Sequence, residues 1–206
     1  MEKKQSIFRW LSVAFLAVGF LTYVVYLFCR KPAGMQGTEF EHIGWFIVDV
    51  FMIGGAILGL IWPAKFEKLA GFCIVGLSFA NLVMSAASDT GCIFLVNNSK
   101  ISDKFSLWVE FFEGLVSLIA IVCLVVALAL PKSAKILGPV GLCAFVALAL
   151  LVLVEGVRVF AVKSQSGARP WAWGINLFAV TIILLGLAFG LIRYSYLLKG
   201  NFEGKE

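Results

Sequence analysis

Four ionisable side chains lie inside two long apolar runs of the chain: Glu110, Glu113, Glu155 and Arg158. Glu110 and Glu113 are three residues apart, and Glu155 and Arg158 repeat that spacing on the next run. In a helix this spacing places both members of a pair on one face. A charge near the middle of a bilayer costs at least ~2.5–3.5 kcal/mol, so such residues usually face a partner or water. The pattern therefore indicates charge pairing or the binding of a cation.

The charges of these residues do not balance. We expect Arg158 to pair with Glu155 or with an acid of the preceding run, because a planar guanidinium binds a carboxylate through two hydrogen bonds and a lone buried charge is costly. The remaining acids are then expected to contact water, hold protons or bind a cation. In the competing interpretation, Glu110 and Arg158 extend to the lipid headgroups and the other polar residues are structural.

The composition is that of a membrane protein. Hydrophobic residues make up 61% of the 206 residues and charged residues 14%, and the mean hydropathy is +0.99, beyond the range of soluble domains. A single all-α polytopic integral membrane domain is therefore predicted over 1–206, with a disordered tail at 200–206. Apolar runs that can each supply the ~20 residues needed to cross a bilayer lie at about 8–28, 43–62, 69–87, 105–130, 136–162 and 171–192.

Three of the apolar runs have similar ends, and this similarity predicts that the helices are arranged in pairs. Three of the runs end in a short basic segment and a glycine, which favours three helical hairpins, helices 1–2, 3–4 and 5–6, as an internal repeat. More Lys and Arg residues lie on the side of the termini than on the other side, so both termini are predicted to be cytoplasmic. On the second run, Gly55 and Gly59 form a small-xxx-small pair, which is typical of close helix packing.

The strongly polar residues of the spans share one depth. They come from five helices and all fall within ~3 turns of the predicted outer side, whereas the inner halves are almost entirely apolar. This asymmetry predicts a polar pocket that opens to the outside and is closed by an apolar cytoplasmic half. The candidate ligand-binding residues are Asp49, Asn81, Ser85, Glu110, Glu113, Glu155, Arg158 and Asn176, with Ser106 and Ser117 continuing the stripe of helix 4.

Cysteine and histidine content restricts other chemistry. Cys29 and Cys92 both lie on the predicted outer side and could form a disulfide in an oxidising compartment. His42 is the single histidine, which excludes haem held by a histidine pair and argues against a histidine-based zinc site. We therefore expect no metal and no cofactor. No residue is assigned a catalytic role, because P-loop, G-x-S-x-G and H-E-x-x-H motifs do not occur in the sequence.

Three functions are compatible with these observations. The favoured one is a membrane transport or solute-binding component, with the bilayer and a small cationic or polar solute or protons as its partners and no nucleic acid. Its acids should converge on one cavity. The first alternative is a structural or assembly subunit, whose acids pair internally, with other membrane subunits or with further copies of the chain. The second is an integral membrane enzyme acting on lipid or lipid-linked substrates, which requires two carboxylates ~5–9 Å apart.

Overall fold

The computed structural model describes residues 2–29, 39–92, 104–161 and 170–202. Apart from a 3₁₀ turn at Thr90–Cys92, these residues form six α-helices: α1 Glu2–Cys29, α2 Glu39–Ile61, α3 Pro63–Asp89, α4 Lys104–Ala129, α5 Pro131–Ala161 and α6 Pro170–Phe202. The all-helical prediction with six helices is confirmed. Residues 200–202 belong to α6, although the sequence predicted a tail from residue 200, and residues 203–206 lie outside the described residues.

Five of the described helices are long and apolar enough to cross a membrane: Ser6–Phe28, Pro63–Asp89, Lys104–Ala127, Ile136–Val159 and Gly174–Arg193. Each reaches or exceeds the ~20 residues that span ~30 Å of hydrocarbon. The second helix contributes a shorter apolar stretch, Phe46–Ile61.

Helix α6 is the most enclosed of the described helices. Every described side chain between Gly174 and Arg193 is buried or half-buried, and the helix packs against α1, α3 and α5. A helix that is apolar on all sides is expected to be surrounded by protein or lipid. The described parts of the other helices each have an exposed face, so these helices surround α6 or pack on its neighbours.

Helices that are adjacent in sequence pack side by side, and α1 also packs against α6, which closes a ring. The predicted pairs α1–α2, α3–α4 and α5–α6 are all in contact. The most extensive interfaces, α1–α6 and α4–α5, nevertheless lie between the predicted hairpins. The grouping into three hairpins therefore stays a prediction.

Close helix approach depends on glycines at two interfaces. A Cβ on Gly59 would overlap the backbone oxygen of Phe66 on α3, and one on Gly55 would lie 2.9 Å from Cys73 Sγ, which confirms the predicted packing role of this pair. Across α1 and α6, a Cβ on Gly186 would lie 2.9 Å from the backbone nitrogen of Leu16. At this second interface the Ser12 hydroxyl donates a hydrogen bond of 2.7 Å to the Gly186 carbonyl.

A sharp elbow joins α2 and α3. Trp62 has non-helical backbone angles, and Pro63 opens α3, where its missing N–H costs nothing. A second deviation at Phe66 (φ −125°, ψ 18°) marks a kink in the first turns of α3. Residues 61–66 line an open cavity of about 440 Å³ at this elbow.

Candidate functional site

The outer part of α4 lies directly against the end of α3. A Cβ on Gly114 would come within 3.0 Å of the carbonyl carbon of Asp89 and within 2.8 Å of the Thr90 methyl group. Only glycine permits this approach, because the atoms in the way belong partly to the α3 backbone. The contact places the neighbouring residue, Glu113, beside the C-terminal end of α3.

Carboxylates from three helices come together here. Glu113 interacts electrostatically with Glu155 of α5, Asp89 of α3 and Glu110 of α4, in decreasing order of strength. Glu155 interacts with Glu110 and Asp89 and is attracted by Arg158. We call Asp89, Glu110, Glu113 and Glu155 the acid cluster. Three of its members were candidates from the sequence, and the structure brings them together with Arg158.

Glu113 is the buried member of the acid cluster. Its residue is only 6% exposed, and its Oε1 atom has no hydrogen-bond partner among the described residues. One turn further along α4, the side chain of Ser117 is fully buried, and its hydroxyl also has no partner in the described part of the chain. Buried polar atoms are normally hydrogen-bonded, and an unmade bond costs ~1–3 kcal/mol. Glu113 and Ser117 therefore present two unsatisfied oxygens on one helix face.

Arg158 lies at the edge of the acid cluster. Its guanidinium carbon is 4.5 Å from the centroid of the Phe105 ring, a cation–π contact, and its charge attracts Glu155. This attraction agrees with the predicted pairing of Arg158 with Glu155, but the pairing through two hydrogen bonds stays a prediction. On α4, Ser106 donates a long hydrogen bond of 3.4 Å to Glu110.

The polar stripe of α3 is mostly satisfied within its own helix. Asn81 donates a hydrogen bond of 2.8 Å to the Leu77 carbonyl. Ser85 donates one of 2.6 Å to the carboxylate of Asp89, and the Ser88 hydroxyl also contacts that carboxylate. Ser85 therefore joins the site by orienting Asp89, whereas Asn81 is held by its own helix.

Asp49 lies apart from the acid cluster. Its neighbour on α2, Met52, packs against Gly76 of α3, which puts Asp49 level with about residue 79. Asp89 is therefore ~15 Å further along α3 at 1.5 Å per residue. Asp49 is half-buried. The structure does not bring it to the site.

Asn176 lies level with the acid cluster on α6. It is half-buried and precedes Leu177, whose Cβ would lie 3.2 Å from a Cβ on Gly156 of α5. Because Gly156 follows Glu155, this packing places Asn176 at the depth of that acid.

Two features missed by sequence reasoning contribute to the bundle. Asp89 was excluded because helix 3 was predicted to end at residue 87, whereas α3 continues to Asp89. The four-residue spacing from Ser85 to Asp89 is the signal that could have identified it. Ser12, which bonds α1 to α6, left no signal, since one serine in an apolar run predicts nothing.

Some predicted features are not tested by the structure. The side chains of Cys29 and Cys92 lie outside the described residues, so their disulfide stays a prediction. The elbow cavity is at the opposite end of α3 from Asp89 and is not the predicted polar pocket. Among the described residues, no group of three or more His, Cys, Asp and Glu side chains is arranged to hold a metal ion.

Comparison of the chain with protein-family models, with curated proteins and with solved structures found no match. The acid cluster and the helices that position it are therefore the features of this chain that point to a function.

Proposed function

We propose that the chain is an integral membrane protein in which the acid cluster binds a small cation or a proton, as a step in transport or solute binding. Membrane embedding is supported by the five long apolar helices and by the outward faces of α1–α5. These faces carry large apolar side chains, among them Phe28, Phe51 and Phe72, which are 86%, 73% and 69% exposed. Exposing such surface to water costs ~25 cal/mol per Å², a cost that lipid contact removes.

The observation that carries the binding proposal is the environment of Glu113. Its carboxyl group is buried, has one oxygen without a hydrogen-bond partner in the described structure, and faces three other carboxylates. Like charges repel strongly where water is excluded. A bound cation would neutralise part of this charge and supply the missing partner for Oε1.

The gradient of burial across the acid cluster supports entry from the end of the bundle. Asp89, Glu110 and Glu155 are half-buried, so a cation reaching that end meets carboxylates before it reaches Glu113. Beyond Glu113, the Ser117 hydroxyl offers a further oxygen. Deeper still, the bundle is filled by fully buried apolar side chains that include Phe145, Leu148 and Leu184.

The assembly-subunit alternative predicts acids that are neutralised by internal pairing. Glu113 is not neutralised in this way among the described residues, because its buried Oε1 atom has no hydrogen-bond partner there. This favours a bound cation or proton at Glu113 over internal pairing.

Thermal unfolding of the purified protein tests the proposal. In detergent, the unfolding midpoint is measured against small alkylammonium ions and across about pH 5 to 8, where the proton is itself a candidate ligand. A ligand that binds only the folded form stabilises it by ~2.7 kcal/mol at a hundred times its Kd. We expect at least one cation, or a fall in pH, to raise the midpoint of the wild-type protein.

Glu113→Gln should abolish this response, because the amide keeps the shape of the side chain and removes the charge. Asp49→Asn is the matched control for the cation titrations, since it neutralises a half-buried acid of the same bundle that lies outside the acid cluster. This variant should respond to the cations as the wild type does. If no cation and no pH change affects the wild-type midpoint, or if Glu113→Gln responds normally, the acids are structural and the assembly-subunit alternative is favoured.

A further inference from the structure

Three helices meet at a buried point near the other end of the bundle. A Cβ on Gly190 of α6 would lie 3.2 Å from the Ser12 hydroxyl of α1 and 2.8 Å from the Ile74 side chain of α3. Ser12 and Ile74 are both fully buried. This meeting point is a common reference for locating residues further along α1, α3 and α6.

Charged residues occur on each of these helices one or two turns beyond the meeting point. Arg9 is three residues before Ser12, Arg193 is three residues after Gly190, and Glu67 is seven residues before Ile74. These spacings return each residue to the same face of its helix. The Arg193 guanidinium indeed lies 3.2 Å from the Glu67 carboxylate. We call Arg9, Glu67 and Arg193 the basic junction.

Positive charge exceeds negative charge at the basic junction. Two guanidinium groups accompany one carboxylate, and Arg193 is only 9% exposed. The Nε atoms of Arg9 and Arg193 are both buried and have no hydrogen-bond partner among the described residues. The Arg9 guanidinium is 5.0 Å from the centroid of the Trp10 ring. Unsatisfied charged donors at a buried position are costly.

We propose that the basic junction binds the phosphate group of an anionic ligand. A guanidinium presents planar pairs of N–H donors that match the oxygens of a phosphate. This binding site is separate from the acid cluster and does not depend on the cation-binding proposal.

Two sources could supply the phosphate, a phospholipid headgroup or free phosphate. The apolar cavity of the α2–α3 elbow, which is about 440 Å³ and is lined by residues 61–66, ends one residue before Glu67. An acyl chain could lie against it while the headgroup contacts the basic junction. The experiment therefore compares a lipid with inorganic phosphate.

The full-length protein in detergent is titrated with phosphatidylglycerol, with phosphatidylcholine and with inorganic phosphate, and binding is measured by the unfolding midpoint and by native mass spectrometry. We expect phosphatidylglycerol to bind more tightly than phosphatidylcholine. Arg9→Gln should weaken this binding about tenfold, the effect of one lost charge-assisted hydrogen bond, while keeping the Arg193–Glu67 pair. Stabilisation by inorganic phosphate that also depends on Arg9 would support the proposal with free phosphate as the ligand.

Two further variants distinguish specific phosphate binding at the basic junction from non-specific electrostatic attraction to this end of the bundle. Glu67→Gln should strengthen phosphate binding, because it removes the carboxylate that occupies Arg193. Lys68→Gln, which removes an exposed positive charge from the same end, should leave the affinity nearly unchanged. If Lys68→Gln weakens binding as much as Arg9→Gln does, the attraction is general and the proposal is wrong. It is also wrong if neither phosphatidylglycerol nor phosphate binds, or if folded Arg9→Lys, which lacks the guanidinium, binds as tightly as the wild type.

Discussion

Two serines of the bundle are equally buried but differ in their hydrogen bonds. The Ser12 hydroxyl bonds the Gly186 carbonyl across helices, whereas the Ser117 hydroxyl has no partner among the described residues. Both side chains are fully buried, so the same substitution compares a satisfied hydroxyl with an unsatisfied one.

Alanine at these positions should have opposite effects on the free energy of unfolding. Ser12→Ala is expected to lower it by ~0.6–1.5 kcal/mol, the loss of one interhelical hydrogen bond. Ser117→Ala is expected to leave it unchanged or to raise it by up to ~1 kcal/mol, because it removes a desolvated polar group. Denaturant unfolding of both variants in detergent, without added cations, measures the difference. A loss for Ser117→Ala as large as that for Ser12→Ala would show that its hydroxyl is bonded in the folded protein.

Individual site residues were predictable where a charge interrupts an apolar run. Glu113 and Glu155 stand out in the sequence for this reason, and both belong to the acid cluster. Asp89 stands at the border between an apolar run and a polar connection, where charges are common, so its four-residue spacing from Ser85 is the one signal that marks it. The close contact of Gly114 with Asp89 and Thr90 was likewise not predictable, since a glycine in the sequence does not indicate which segment packs against it.

At the scale of the helices, α2 offers a direct test of close packing. A Cβ on Gly59 would meet the Phe66 carbonyl oxygen and the Ala70 backbone nitrogen, whereas a Cβ on Gly54 would have no atom within 4 Å. Gly59 is buried and Gly54 is exposed.

Gly59→Ala should destabilise the bundle by ~1–3 kcal/mol, the usual cost of overpacking, because the atoms in the way belong to the α3 backbone. Gly54→Ala should be neutral or stabilising by up to ~1 kcal/mol, since alanine has the higher helix propensity. Unfolding midpoints of the two variants, measured side by side, test this contrast. Equal effects would contradict the close approach of α2 and α3 at Gly59.

Helix number and approximate position were predictable, but helix ends and neighbours were not. The structure starts α5 at Pro131 and ends α6 at Phe202, beyond the predicted 136–162 and 171–192, because hydropathy marks the apolar portion of a helix and not its polar end turns. The high burial of α6 was not predicted, since all the runs are strongly apolar. Which helix is surrounded depends on side-chain fit between helices that are distant in sequence, as at Ser12 and Gly186.

At the scale of the whole molecule, the bundle has oppositely charged ends. The basic junction includes Glu67 and the acid cluster includes Asp89, both on α3. Their separation along that helix is ~33 Å at 1.5 Å per residue, close to the ~30 Å thickness of the hydrocarbon core. In a bilayer, each charged site would therefore lie near one membrane face, with the apolar centre between them.

Because the two sites lie near opposite membrane faces, the orientation of the chain in the membrane determines which compartment each site faces. The distribution of Lys and Arg predicts cytoplasmic termini, which would place the basic junction inside and the acid cluster outside. In a variant with all five cysteines replaced, Lys100→Cys in the connection before α4 should react with a membrane-impermeant maleimide on intact cells. Lys205→Cys, after α6, should react only once the cells are permeabilised. The reverse result would turn the acid cluster towards the cytoplasm, and any cation it binds would then come from inside the cell.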